Sequence, residues 1–280
     1  MNGHYRLISA LIATGTLLVA STISSAIAQQ NKVNITPVET VSVPFAGGLH
    51  AATTLHTYSG QVWLCVTGVG QAAGPKLSDA FYVYTSESGS ILLPPGVIGT
   101  DEPHPWHSLL FYNWVLSINH EHAEDFVVPI IPGTNSSVPS YNPTHVYAFP
   151  INIPNGPLIF GVGDGGTGDN TGAYTITVGE KADALGCYTA DIEKEISDGY
   201  DSGAITLPGN SLFAQLNRLK ASIRKENYSS AAGQAGALIN HIQAQSGKAI
   251  DESFATTLID KINYLLDLLG HGLSKSHCDH

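Results

Sequence analysis

Residues 60–70 read GQVWLCVTGVG, and this stretch decides how the first half of the chain folds. The alternate positions from Val62 to Val66 are apolar, and so are Trp63 and Cys65 between them. Successive side chains of a β-strand point to opposite faces of the sheet, so a strand with two apolar faces must be covered on both sides. The stretch therefore predicts a strand buried between two layers.

Similar short runs flank this stretch from Pro37 to Val178. They are rich in β-branched and aromatic residues, and Gly, Pro, Asn and Ser separate them at positions that favour turns. Several short strands with such turns are typical of an antiparallel sandwich or barrel. We expect residues 29–179 to form an antiparallel β-sandwich.

The C-terminal part of the chain changes to a helical period. Three segments between residues 207 and 270 each place apolar residues on one helical face. The faces consist of Leu212, Leu216, Leu219 and Ile223, then Ala231, Ala235, Leu238 and Ile242, then Phe254, Leu258, Ile262, Leu265 and Leu269. Ser211 and Asp251 are candidate caps of the first and third helices. The fold class we expect is mainly β plus α: the sandwich, a linker at 180–206, a small three-helix bundle at 207–270, and a His-rich tail at 271–280.

The N-terminus carries the features of an export signal. His4 and Arg6 precede an apolar run from Leu7 to Ile23, and Ala26–Ala28 supply the small residues at which signal peptidases cut. Polar residues within the run make a membrane anchor the weaker alternative. We therefore expect residues 1–28 to be a signal peptide, the mature chain to have no membrane span, and the protein to be secreted or at the cell surface.

The acidic composition argues against one class of partner. The chain has 12 Lys and Arg against 23 Asp and Glu, a formal net charge of −11 that becomes −12 when Arg6 leaves with the signal peptide. Such a surface repels nucleic acid, so we expect no nucleic-acid partner. The sequence does not indicate an oligomeric state.

The three cysteines cannot all pair within one chain. Export permits disulfides. We expect Cys187 to pair with Cys278, and Cys65 to remain a buried thiol in its strand.

Residues 163–176 read GDGGTGDNTGAYTI and place Asp164, Asp169 and Asn170 close together in a glycine-rich loop. A phosphate site is disfavoured, because the loop is anionic, carries no basic residue and leads into a strand rather than a helix. Calcium takes several oxygen ligands from carboxylates, amides and backbone carbonyls, and the glycines free the backbone to supply some of them. A tight turn without an ion is the other interpretation that the spacing allows.

The stretch GDGGTGDNTGAYTITVG resembles the closing hairpin of the bacterial galactophilic calcium lectins and related calcium-binding β-sandwich modules. GQVWLCVTGVG and SDAFYVY resemble two earlier strands of that module. The resemblance implies calcium as cofactor, with side-chain ligands Asp164, Asp169 and Asn170 and a backbone ligand at Thr167, and with a further carbonyl near Gln71 or Ala72. It does not imply galactose specificity, because the sugar-contacting segment of the lectins is longer and carries a histidine that GQAAGPKL lacks.

The helical part resembles the FIMAH-type domain found at the C-termini of some secreted prokaryotic proteins. The resemblance rests on SLFAQLNRL, AGALINHIQAQSGKAI and FATTLIDKI. It implies an accessory module for attachment or assembly, without catalytic activity.

Histidines raise a second hypothesis, a metal-dependent extracellular enzyme. His104 and His107 lie in EPHPWHS, and His120 and His122 lie in NHEH, at spacings that can share a Zn or Cu ion if a third ligand joins them. No GxSxG elbow is present, and no catalytic residue can be assigned. Trp106, beside Pro105 in a loop, is the candidate ligand-binding residue.

Together these patterns favour an exported, non-enzymatic calcium-binding protein. Its candidate partner is a glycan or another component of the cell surface, in the manner of a lectin. The alternatives are the histidine-dependent enzyme and a structural or assembly component of the cell surface.

Overall fold

A computed structural model describes residues 36–73, 76–85, 91–92, 98–99, 115–128, 139, 141–164 and 166–270. The predicted signal peptide (1–28) lies outside the described residues. So do His104, Trp106, His107 and the tail at 271–280.

The central strand of the larger sheet is β3 (Tyr58–Thr67). It pairs antiparallel with β11 (Val146–Gly156) on one side and β13 (Thr171–Gly179) on the other, and β1 (Glu39–Pro44) also pairs with β13. All five residues from Val62 to Val66 are buried, although they point alternately to the two faces of the sheet. The predicted burial of this strand on both faces is confirmed.

The remaining strands are short and pair antiparallel. The larger sheet continues from β13 through β4 (Gly70–Ala73), β5 (Lys76–Ser78), β6 (Val83–Thr85), β7 (Ile91–Leu92) and β8 (Ile98–Gly99). The smaller sheet has the order β10 (Glu121–His122), β9 (Leu116–Ile118), β12 (Ile159–Val162) and β2 (Ala52–Thr53). The structure thus confirms a mixed β and α fold, in which antiparallel strands are followed by helices.

The helices follow the sheets in the chain, apart from a single turn, α1 (Ala123–Phe126). They are α2 (Lys181–Ser202), α3 (Ser211–Arg224), α4 (Tyr228–Gln245) and α5 (Glu252–Gly270). Every residue of the three predicted helical faces is buried except Phe254, which is half-buried. Asp251 caps α5 as predicted, since its Oδ1 accepts the Phe254 N–H at 3.0 Å, whereas Ser211 is the first residue of α3 rather than its cap. None of the helices in the described part has the length and hydropathy to cross a membrane.

Residues 180–206, predicted to be a linker, are largely the 22-residue helix α2. A reciprocal capping box starts it, because the Asp183 carboxylate accepts the Glu180 N–H at 2.9 Å and the Glu180 side chain accepts the Asp183 N–H. Leu185, Tyr188, Ile192 and Ile196 are buried, and the helix packs against β3, β11 and β13. α2 is therefore the layer that covers the outer face of the central strands.

A disulfide joins this helix to the central strand. Cys65 on β3 is bonded to Cys187 on α2, 122 positions further along the chain. The predicted pairing of Cys187 with Cys278 is wrong, and so is the free thiol at Cys65. Cys65 points to the face of β3 that α2 covers, so the packing of this helix brings the two sulfurs together.

A buried ammonium group forms a second connection between helices and sheet. Lys261 on α5 donates through Nζ to Asp191 Oδ2 at 3.0 Å, to Thr144 Oγ1 at 2.8 Å and to the Glu195 carboxylate. Its side chain is only 4 % exposed. We call these four residues the Lys261 cluster. In addition, Tyr264 donates its hydroxyl to the backbone oxygen of Ala148 on β11 at 2.7 Å.

We predict that Lys261→Met lowers the free energy of unfolding by about 3–5 kcal/mol, because two carboxylates are left beside it without their cation. Denaturation in urea measures the change. Lys194→Met is the matched control, because Lys194 pairs with Asp198 on the exposed side of α2 and should change nothing measurable. Equal, small effects of both substitutions would contradict the prediction.

We also predict that a digest of the unreduced protein yields a peptide linking Cys65 to Cys187, found by mass spectrometry. Removing the bond with Cys187→Ala should cost about 2–5 kcal/mol of stability, whereas Cys278→Ser should cost none. Recovery of a peptide linking Cys187 to Cys278 would overturn the pairing.

Candidate functional site

The loop at residues 163–170, here called the Gly/Asp loop, joins β12 to β13. A short 3-10 helix, Thr167–Asp169, forms its second half. Asp164 is half-buried, and its Oδ1 accepts the N–H of exposed Gly166 at 3.4 Å. The N–H of Asn170 donates to the oxygen of Thr167 at 3.3 Å and closes the turn.

Asn170 has an unusual environment for an amide side chain. It is 8 % exposed, and its Nδ2 donates to the backbone oxygen of Phe45 at 3.2 Å. A carbonyl oxygen can only accept, so this bond fixes which end of the amide is nitrogen. The other end, Oδ1, is buried and has no hydrogen-bond partner among the residues that the structure describes. A buried acceptor without a partner costs about 1–3 kcal/mol, which a bound cation or an ordered water would offset.

Two other segments lie against the Gly/Asp loop. One is the 3-10 helix Phe45–His50, where a Cβ added to Gly48 would lie 3.3 Å from Cγ2 of Thr167. The other is β4, because Gln71 is paired with Thr171, the residue that follows the loop. The chain near Gln71, predicted from the lectin resemblance to supply a carbonyl, is therefore adjacent to the loop.

The four predicted metal-ligating residues thus lie on one loop with different exposures. Asp169 is exposed, Asp164 and Thr167 are half-buried, and Asn170 is buried. All the donors that they offer are oxygen atoms, which suit a hard cation such as calcium better than a transition metal. Trp106, the predicted ligand-binding residue, falls outside the described ranges.

Across the residues that the structure describes, no three His, Cys, Asp or Glu side chains are grouped so as to hold a metal ion. A calcium site of the predicted kind is not such a group, because amide and backbone carbonyl oxygens supply much of its coordination. The finding bears instead on His120 and His122, for which the described residues supply no third side-chain ligand.

The predicted histidine sites are described only in part. His120 lies in the turn between β9 and β10 rather than on a strand, and half-buried His122 lies on β10. His104 and His107 lie outside the described residues. The structure instead brings the ring of His120 close to that of His50, with the two ring centroids 4.3 Å apart.

Sequence reasoning missed a buried carboxylate, Asp79, at the end of β5. Its Oδ1 accepts the backbone N–H groups of Phe81 at 3.0 Å and Tyr82 at 2.8 Å. Its Oδ2 lies 2.9 Å from His145 Nδ1 and accepts the hydroxyl of Tyr147 at 2.8 Å. Burial, reinforced by this carboxylate, holds the pKa of Tyr147 well above its ordinary value, so the hydroxyl remains a donor.

This arrangement is structural, because its groups satisfy one another. The backbone oxygen of Asp79 also accepts the hydroxyl of Tyr174 on β13 at 2.8 Å, so that one residue ties together three strands and a turn. The sequence does contain a signal for this residue, because Asp79 directly follows a strand and precedes the aromatic pair Phe81 and Tyr82 by two positions. An aspartate in such a place typically accepts hydrogen bonds from the backbone N–H groups of its own turn.

No protein-family model, no curated protein and no solved structure matches this chain. The resemblances to the galactophilic calcium lectins and to the FIMAH-type domain therefore stay predictions. The functional proposal rests on the residues of the Gly/Asp loop and their contacts.

We predict that Asp79→Ala lowers the free energy of unfolding by about 3 kcal/mol or more, because it leaves several buried donors without an acceptor. Chemical denaturation in metal-free buffer measures it. Asp164→Ala, under the same conditions, should change little, since the hydrogen bond found for its carboxylate is the long contact with Gly166. A tolerated Asp79→Ala would contradict the structural role.

Proposed function

We propose that this is an exported, non-enzymatic protein whose Gly/Asp loop binds calcium. The observation that carries the proposal is the buried Oδ1 of Asn170, which has no partner within the described part of the chain and lies in a loop with two carboxylates. An orphaned acceptor that cannot rotate away is a feature that a cation ligand explains. Without an ion, the same atom destabilises the fold.

The ligand set follows from the residues near this oxygen. Asp164 and Asp169 supply carboxylates, and Asn170 supplies its amide oxygen. The backbone oxygen of Thr167 accepts one hydrogen bond from Asn170 and retains a second lone pair. A carbonyl near Gln71 on β4 completes a set drawn from two segments. Calcium accepts six to eight such oxygens in flexible geometry, so a mixture of loop and strand ligands suits it.

The ion would act first as a structural element. It would join the loop before β13 to β4 and would neutralise the negative charge of the two carboxylates that the loop carries. An ion that binds only the folded state stabilises it by about 2.7 kcal/mol at a concentration one hundred times its dissociation constant. A position left open on calcium could also take hydroxyl groups of a glycan, since the ion accepts neutral oxygen ligands.

The rest of the proposal concerns architecture and setting. We interpret the two antiparallel sheets as a sandwich of the calcium-lectin kind, and residues 207–270 as a FIMAH-type three-helix module. The apolar run before Ala28 supports export, and the negative net charge supports a protein that attracts cations. The partner that fits these features is a glycan or another component of the cell surface.

We predict that calcium raises the thermal midpoint of residues 29–280 after the protein has been stripped of metal with a chelator. The Asp164→Ala, Asp169→Ala double variant should lose this rise, and Asn170→Leu should weaken it. Asp201→Ala is the control, because Asp201 is exposed at the end of α2, and this variant should respond like the unaltered protein. Differential scanning calorimetry across a calcium titration makes the measurement.

A midpoint that does not respond to calcium in the unaltered protein would refute the proposal. A rise that survives the double variant would place the ion elsewhere. Glycan binding, measured on an array with calcium and then with chelator, separates a ligand-contacting ion from a structural one.

A further inference from the structure

Two exposed histidines from distant parts of the chain lie side by side. His50 ends the first 3-10 helix, and His120 lies in the turn between β9 and β10. Their ring centroids are 4.3 Å apart, and their planes are inclined by 55°. Neither residue belongs to the Gly/Asp loop, and His50 is not part of any histidine motif in the sequence.

Strand β12 contacts the backbone segment that carries His50. The backbone that leads to His50 passes directly over Gly161, where an added Cβ would lie 2.3 Å from the oxygen of Gly48 and 2.5 Å from Cα of Leu49. Such an approach requires glycine at this position. This close approach places the 3-10 helix against β12 and thereby determines the position of its last residue, His50.

The same strand is hydrogen-bonded to the turn that carries His120. Asn119 donates its N–H to the oxygen of Ile159 at 2.7 Å, and its Oδ1 accepts the N–H of Ile159 at 2.9 Å. Asn119 and His120 both have positive φ, 52° and 73°, between the paired residues Ile118 and Glu121. This is the backbone of a tight two-residue hairpin turn, which leaves the chain little freedom.

The backbone segments that carry both imidazoles are therefore held on one strand by independent contacts. These contacts fix the positions from which the two side chains extend toward each other. Preorganisation of this kind lowers the entropic cost of holding two ligands around one ion.

We propose that His50 and His120 together bind a divalent transition-metal ion, with the remaining coordination positions open to water or to an anionic ligand. Imidazole nitrogen suits copper, nickel and zinc, and the general order of stability places Cu(II) first among them. The described residues contain no larger group of metal-binding side chains, so the pair supplies two ligands and leaves the ion accessible. The oxygen ligands of the Gly/Asp loop, by contrast, suit calcium better than a transition metal.

The test is a titration of the metal-free protein with Cu(II), followed by calorimetry and by electron paramagnetic resonance. The variants are His50→Gln, His120→Asn and the double variant; asparagine tolerates the positive φ at position 120. His120→Gly serves if the asparagine variant does not fold. His56→Gln is the control, because His56 is an exposed histidine that contacts Glu39 instead of another ring.

The expected result is that each single variant loses the same one equivalent of tightly bound Cu(II), and that the double variant loses no more. The nitrogen hyperfine pattern of two imidazoles should disappear with either substitution, and the control should bind like the unaltered protein. Sharing makes the losses non-additive, which separates this site from the protein's other histidines, twelve in all. Unchanged binding in either single variant, or a loss of two equivalents in the double variant, would overturn the proposal.

Discussion

Burial of β3 on both faces is the constraint on which the rest of the structure depends. Five consecutive apolar residues cannot be shielded by one layer, because their side chains alternate between the faces of the sheet. On one side the chain supplies α2, and two contacts hold the helical part there: the Cys65–Cys187 bond and the buried ammonium group of Lys261. The helices are thus part of the same core as the strands.

A single turn of the chain at residues 142–145 pairs several of the polar groups inside this core. Asn142 accepts the N–H of Thr144. The Thr144 hydroxyl has one proton, for which Asn142 Oδ1 and Asp191 Oδ2 are alternative acceptors, and its oxygen accepts from Lys261. His145 and Tyr147 reach the carboxylate of Asp79. The turn therefore lies between two buried acidic residues, Asp79 after β5 and Asp191 on α2. Because unpaired charges are costly in such surroundings, the fixed conformation of this turn follows from the need to pair them.

Local patterns predicted what depends on neighbouring residues. The alternation around Trp63 gave the buried strand, and the helical period gave α3, α4 and α5. Leu185, Tyr188, Ile192 and Ile196 repeat at the same period, so this pattern could have predicted α2 where we expected a linker at 180–206. The partner of Cys187 and the approach of His50 to His120 depend on contacts between distant segments, which no local pattern carries. The Gly/Asp loop could be predicted only in part. Its composition indicated oxygen ligands, whereas the burial of the Asn170 amide oxygen depends on the fold.

The bond between Cys65 and Cys187 also determines how the chain would bear a mechanical load. It closes a covalent loop across 122 positions, and that loop contains β11, β13, the Gly/Asp loop and the turn of His120. When the protein is pulled from its two ends, tension passes from β3 through the sulfurs into α2 and bypasses everything between them. The backbone of the Gly/Asp loop would therefore carry no tension, although extension of the residues before Cys65 would remove the contact between Asn170 and Phe45.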